Sequence, residues 1–241
     1  MDLLVEKKVD SLIADYNNVV GGIDNAAMHS SDRAYGGIIR AGKGTLLEEM
    51  TAKLVKIAWI DVLKQDPHRI DTNKEKKAVT VRDHYISKIK DPKVKEYVKA
   101  NQKELVYKFG TDVQVFIDDK LVLPIECKTY TENAMLKRIL FDAVLMREVR
   151  GTKTYYLVQL ESMLGGDYCE LNDVTYGSPA THALLSHVDI DLEIITLLKG
   201  ERKVDRPIHK KEFFKELKAK ELMKAINIFA DALSPYCHSG D

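Results

Sequence analysis

Long apolar runs are missing from this sequence, and so is any excess of one charge. No stretch stays apolar over the roughly 18 residues that a membrane-crossing helix needs. The opening Met1-Asp-Leu-Leu-Val-Glu-Lys-Lys lacks the apolar core of a secretory signal. The expectation is a cytoplasmic protein with no membrane partner. Cysteine is scarce: Cys127, Cys169 and Cys237 are odd in number and far apart, with no C-x-x-C. That argues against a disulfide framework or a zinc site and for a reducing compartment. The seven histidines are scattered, and even the nearest pair, His182 and His187, forms no recognisable ligand set. Lysine plus arginine equals aspartate plus glutamate at 37 each, so bulk charge names no polyanionic partner. Repeats, linkers and low-complexity tracts are absent too.

What is present is enough apolar material for a core, at 45% of 241 residues, and a clear succession of elements. Asp2 to Val20 has helical periodicity and meets Gly21-Gly22. A glycine-rich loop carrying Arg33 and Arg40 then leads to a helix from Thr45, its N-cap, to Lys64. Beyond Asp66-Pro67 the pattern is polar, lysine-rich and helical to about Phe109. A β-hairpin follows, then a helix from about Glu132 to Val149 capped by Thr131 and stopped by Gly151. Its inner face carries Met135, Leu136, Ile139, Leu140, Ala143 and Val144. Tyr155 to Leu160 reads as a buried strand, completing a strand–helix–strand unit. Asp189 to Leu198 supplies another strand, and His209 to Leu233 a terminal amphipathic helix. The fold class expected is α/β (mixed α+β), a mixed sheet flanked by helices. It forms a single domain over 1–241, with a core of about 42–200 and helices 2–20 and 209–233 as additions.

The hairpin carries the chemistry. Gly110-Thr-Asp-Val-Gln-Val-Phe-Ile117 and Leu121-Val-Leu-Pro-Ile-Glu-Cys-Lys128 are apolar runs separated by Asp118-Asp119-Lys120. A three-residue loop there pairs Ile117 with Leu121, Val115 with Leu123 and Val113 with Ile125, gathering the strongly apolar side chains on one face. The next pair is Asp112 with Glu126, whose Cβ atoms would stand about 5 Å apart. Lys128 shares the face of Glu126 because strand side chains alternate. Pro124, which lacks a ladder donor, marks an edge position or a bulge. A bulge there would turn Asp112 away from Glu126.

Two facing carboxylates repel unless a cation joins them. Hard oxygen ligands with open positions suit Mg²⁺, which keeps waters and binds phosphate. A lysine beside them can orient or deprotonate a water and neutralise charge on a pentavalent transition state. Other acid-x-Lys triplets, such as Glu75/Lys77 and Glu216/Lys218, lie in polar or helical surroundings. Glu126-x-Lys128 alone ends an apolar strand with another acid in pairing distance. A structural ion pair is the plain alternative.

Asp112, Glu126 and Lys128 at this spacing resemble the catalytic motif of the PD-(D/E)xK nucleases, most closely type II restriction endonucleases. Thr111 stands where that family often has proline. The likeness covers 111–128 by motif and about 42–160 by layout. It implies a restriction-endonuclease-like core, one nuclease domain, and Mg²⁺-dependent cutting of double-stranded DNA to 5′-phosphate and 3′-hydroxyl ends. Asp112, Glu126 and the carbonyl of Cys127 would hold metal, and Lys128 would position or activate water. It also implies a homodimer on a palindromic site, a prokaryotic host, and a cognate methyltransferase there. Two alternatives stay open: a structure-specific repair or recombination nuclease on the same core, and a DNA-binding module that does not cut.

Glu48 shares a helical stripe with Ala52, Val55, Trp59 and Val62, so it points inward while Glu49 points out. The resemblance would make it a further catalytic acid, and a place at the positive end of the helix is the alternative. Gly37 to Lys43 imitates a phosphate loop, but Gly44 stands where serine or threonine is required and no buried strand precedes it. Arg33, Arg40 and Lys43 could instead grip a DNA backbone. Tyr130, Asn133, Lys137 and Arg138, just past the lysine, are further DNA-binding candidates, as is the loop Leu164 to Thr181. Charge is segregated: Lys74 to Lys108 nets +6, Lys199 to Lys224 nets +5, and Glu161 to Leu198 nets −7. Such segregation can line one groove with positive potential.

Overall fold

The computed structural model describes residues 2–27, 32–165 and 177–237, with the side chains of 25–27 and 32–35 left aside. Its centre is a five-stranded sheet in the order β1 (Ile70–Asn73), β4 (Val113–Ile117), β5 (Lys120–Thr131), β6 (Thr154–Ser162), β7 (Asp191–Thr196). β1, β4 and β5 run antiparallel. β5, β6 and β7 run parallel. β5 is therefore the junction of two half-sheets. The expected mixed sheet covered by helices is the observed one.

Two layers cover it. On one face lie α1 (Leu3–Ala27), α2 (Asp32–Lys56) and α7 (Ala219–Leu233). α1 buries Val5, Val9, Leu12, Tyr16 and Val20, spaced three or four apart as a single helical stripe requires. These pack with Leu47, Met50, Leu54 and Trp59 and with Leu222, Ile226 and Phe229, over Val113, Val115, Ile125 and Val158 of the sheet. On the other face α5 (Asn133–Arg150) lays Ile139, Ala143 and Met146 against Phe116, Leu121, Tyr155 and Leu157. α6 (Pro179–Ser186) packs beside it. The sheet is thus apolar on both faces, not one, which is why all of β4 is buried.

The hairpin turn differs from expectation in an instructive way. Asp118 and Asp119 form a two-residue turn, with φ of 48° and 63°, and Ile117 pairs with Lys120. Both positive φ values belong to the mirror-image turn whose twist matches a hairpin. A bulge then opens between Val115 and Phe116, restoring Val115 to Leu123 and Val113 to Ile125. Pro124 pairs with Gln114, and the β6 ladder starts only at Ile125, so the proline is at a locally open edge of β5.

Other boundaries move. α1 runs through Gly21-Gly22, because burial of Val20 and Ile23 outweighs the roughly 1 kcal/mol each glycine costs a helix. The expected loop at 36–44 is helix as well, so Thr45 is interior to α2 and not its cap. At Gly42 the helices approach closely: a Cβ there would come 2.3 Å from Ile23 Cδ1. A helical Gly37–Gly44 also removes any phosphate loop. α2 passes into a short π-helical turn, Ile57–Val62, that buries Trp59.

The lysine-rich stretch is not mainly helical. It holds β1, then β2 (Lys77–Thr80) paired with β3 (Val106–Phe109), with two short helices, α3 (Asp83–Lys88) and α4 (Pro92–Ala100), between them. Thr131 ends β5, and Glu132 is the N-cap of α5. Gly151 does stop α5, in the left-handed conformation at φ 70°. The terminal helix begins at Ala219, not His209. Among the described residues no helix is long and apolar enough to cross a membrane.

Candidate active site

The restored register brings Asp112, just ahead of β4, level with Glu126 on β5. Asp112 is fixed by the backbone: the Cys127 N–H donates to its Oδ2 at 2.9 Å. Lys128 folds back between the acids. Its Nζ donates to Asp112 Oδ2 at 3.1 Å, to Glu126 Oε1 at 2.5 Å and to the Cys127 carbonyl at 3.2 Å. Glu126 is the most buried of the three, its side chain 13% exposed against 28% for Asp112 and 31% for Lys128. The intervening Cys127 side chain points to the opposite face, its Sγ 3.5 Å from Thr51 Oγ1 of α2. Burial pushes its thiol pKa up, so it offers no thiolate.

The electrostatics follow from that packing. Burial raises the Glu126 pKa, helped by the like charge of Asp112 and opposed by Lys128. Burial disfavours the Lys128 ammonium, but Glu126 and Asp112 outweigh it and hold the pKa above the ordinary lysine range. Lys128 is a cation held by two carboxylates and a carbonyl, which tests what the donor set accepts. The set fits a hard divalent ion. Among the described residues no three His, Cys, Asp or Glu side chains cluster tightly enough to hold a metal alone. An ion here would take two carboxylates and a carbonyl and keep positions for water or phosphate, the habit of Mg²⁺.

Glu48 opens onto the same place. It lines a cleft of about 280 Å³ with Asp112, Thr72, Asn73 and Lys74. It sits deep in α2, more than four turns past Asp32, so the helix dipole, which fades within the first turn, has no hold on it. Its partner is Lys74, whose pKa is raised by that hydrogen bond and further by Glu48 and Asp112 charge. Lys74 went unnoticed in the sequence because its neighbours are all polar.

Asp142 of α5 was missed as well. Its largely buried carboxylate accepts from Tyr107 Oη at 3.3 Å and lies 4.0 Å from Arg138. Burial raises its pKa, with Tyr107, Arg138 and Lys128 opposing. The i,i+4 spacing from Arg138 was its only sequence signal. A cavity of about 640 Å³ between α1 and the 209–217 segment is larger but shares no residue with these groups.

The remaining candidates scatter. Lys137 and Arg138 are exposed on α5. Asn133 is engaged at both ends of its amide, donating to Ser178 Oγ at 3.3 Å and accepting from Thr181 Oγ1 at 2.7 Å, which ties α5 to the start of α6. Tyr130 lies under the Arg202 guanidinium, 3.9 Å from its ring centre. Arg40 and Lys43 line a separate cavity with it. The Arg33 side chain lies outside the described residues, as does most of the loop from Leu164 to Thr181.

An acid pair whose oxygens fit a divalent cation, with an adjacent ammonium and open to a cleft, would serve phosphodiester hydrolysis. Comparison with known proteins gives the class. The type II restriction enzyme DdeI of Desulfomicrobium norvegicum is 42% identical over 238 residues, covering 97% of this chain and 99% of that protein. The chain belongs to the type II restriction enzymes, and its activity is that of a site-specific deoxyribonuclease. Among solved structures, a native BbvCI A2B2 tetramer aligns at TM-score 0.40 and 15% identity, over 98% of this chain and 90% of that one. No family model matches the sequence.

Proposed function

We propose that cleavage takes place at Asp112, Glu126 and Lys128, in a site of the PD-(D/E)xK kind. The observation that carries the reading is the convergence of both carboxylates and the Cys127 carbonyl on one ammonium. Asp112, Glu126 and the Cys127 carbonyl would hold Mg²⁺. When bound, that ion would polarise a phosphodiester oxygen and acidify a water. Asp112 contributes a carboxylate pinned by a backbone N–H, so it is aligned beforehand. Glu126, ionised against its burial, is drawn to any cation that replaces the ammonium. Lys128, released from the acids, is free to orient the attacking water and to stabilise negative charge on the phosphorane. Glu48 and its partner Lys74 border the cleft where a second water or phosphate oxygen would lie.

The substrate in this reading is double-stranded DNA, cut to 5′-phosphate and 3′-hydroxyl ends. The enzyme acts as a homodimer in a prokaryotic cytoplasm, beside a cognate methyltransferase. Arg40, Lys43, Tyr130, Lys137 and Arg138 are DNA contacts, and the whole chain forms one domain. The test is incubation of purified protein with phage-length duplex DNA, in Mg²⁺ and in EDTA, beside Lys128→Ala. Discrete fragments that require Mg²⁺ and vanish in the variant support the assignment. Cleavage that survives Lys128→Ala sinks it.

A further inference from the structure

A second cationic site stands at the far end of β5. The cavity there, of about 180 Å³, is lined by Arg40 and Lys43 of α2, Tyr130 of β5, Glu161 of β6, and Arg202 and His209 of the segment after β7. Its cations are arranged against ordinary surface logic. Lys43 is largely buried, which lowers its pKa against the opposing pull of the Glu161 charge, and it makes no hydrogen bond or ion pair among the described residues. Arg202 stands over the Tyr130 ring, 3.9 Å from its centre, and is within 3.6 Å of Met163 Sδ, but among the described residues it pairs with no carboxylate. The one acid of the cavity, Glu161, is already neutralised by Lys215 at 2.8 Å. Arg40, Lys43 and Arg202 against the single carboxylate of Glu161 therefore leave the cavity net positive. Desolvating a lysine without a partner is costly, and stacking an arginine fixes its donor fork in one orientation. Both costs are recovered when an oxyanion enters.

The position names the anion. Tyr130 follows Lys128 by two residues on one strand, about 7 Å at strand rise, which is the axial rise of two nucleotides at about 3.4 Å each. We propose that this cavity, built by Arg40, Lys43, Tyr130 and Arg202, binds a backbone phosphate of the cut DNA strand about two nucleotides from the scissile one. The site reads no base. It sets the register of the strand across Asp112, Glu126 and Lys128, and in that placement it rests on the proposed active site. The only sequence signal of Arg202 was its place in the basic stretch Lys199 to Lys224, since it lies more than seventy residues from the motif and is brought in by the turn after β7.

The experiment is a salt titration of binding to a short random-sequence duplex, followed by fluorescence anisotropy in EDTA. Wild type is compared with Lys43→Gln, Arg202→Gln and the charge-keeping Arg202→Lys, each checked for fold by circular dichroism. Each lost phosphate contact lowers the slope of log K against log salt by about 0.9, so between 50 and 200 mM salt the neutral variants lose about 3.5-fold less affinity than wild type. Arg202→Lys keeps the wild-type slope. A single methylphosphonate about two nucleotides from the mapped cut weakens wild type and leaves Arg202→Gln indifferent. Equal slopes in all proteins, or continued sensitivity of Arg202→Gln to that methylphosphonate, overturn the site. A wild type that binds no duplex overturns it too. The slope difference without any Mg²⁺-dependent cleavage supports the cavity and removes the proposed function alone.

Discussion

Lys128 holds the place that a metal would take, so its removal should do two opposite things. The ammonium makes charge-assisted hydrogen bonds to Asp112 at 3.1 Å and Glu126 at 2.5 Å, and both must loosen before an ion is seated between the acids. At side-chain exposures of 13% to 31%, each is screened to about 0.5–1 kcal/mol net. Metal binding to the wild type therefore works against about 1–2 kcal/mol that Lys128→Ala does not have. By the relation of 1.4 kcal/mol to tenfold, the variant should bind Mg²⁺ about 5- to 30-fold more tightly. Its cleavage should fall by about 10²–10⁴, the usual worth of a positioned proton-transfer or charge-stabilising group. Titration calorimetry with Mg²⁺ on DNA-free protein measures the first, and single-turnover cleavage the second. In thermal melts the metal-free variant should lose stability, because two carboxylates then face each other uncompensated. Mg²⁺ should recover more of that loss than it adds to wild type. A variant that binds Mg²⁺ as wild type does, or more weakly, would refute the competition and with it the location of the ion.

Asp112→Asn removes the acid pinned by the Cys127 N–H; cleavage should fall by at least about 10³ while the fold survives, and Mg²⁺ should no longer raise the melting temperature. Glu126 titrates above the ordinary 4.5, so metal affinity should decline as pH falls through that raised value, and binding should release protons; calorimetry in two buffers of different ionisation heat detects this. The sign for Lys128 is the reverse: its raised pKa gives stability that is complete below 10.5 and lost as pH rises through the folded value, so Lys128→Met should flatten the alkaline limb of a stability–pH profile. Asp119 holds φ 63° without being glycine, and Asp119→Gly should stabilise the protein by about 0.5–1 kcal/mol, read as a shifted urea midpoint with unchanged slope. Asp118 is excluded from that change because its carboxylate pairs with Arg69 at 2.6 Å.

The motif was legible because two departures from the expected hairpin cancel. A three-residue loop and a two-residue turn followed by a one-residue bulge displace the partner strand by the same amount. Past the bulge, Val115–Leu123 and Val113–Ile125 are the pairs that apolar alternation demands. Burial of those residues, not the turn, decides where Asp112 falls. The βαβ unit was legible for a similar reason: α5 has a buried stripe and a glycine stop, and β6 opens with the apolar run Tyr155 to Val158 and is buried along nearly its whole length.

The glycines at 21, 22, 36, 37, 42 and 44 misled, because propensity is local and the burial that overrides it is not. Half of the cleft escaped notice for the same reason. β1 is four residues long with Ile70 its only buried side chain, too little to announce a strand. Yet its pairing of Asn73 with Gln114 carries Lys74 to Glu48 beside Asp112. Arg202 likewise meets Tyr130 only once β7 has been laid beside β6. The two acids and the lysine of the proposed site come from one hairpin and can be read from local alternation. The cations around them come from distant segments, where a lysine destined for the site looks like any lysine in a polar run. A search for DNA contacts should therefore begin with basic residues that are buried or stacked and that, like Lys43 and Arg202, make no ion pair among the described residues.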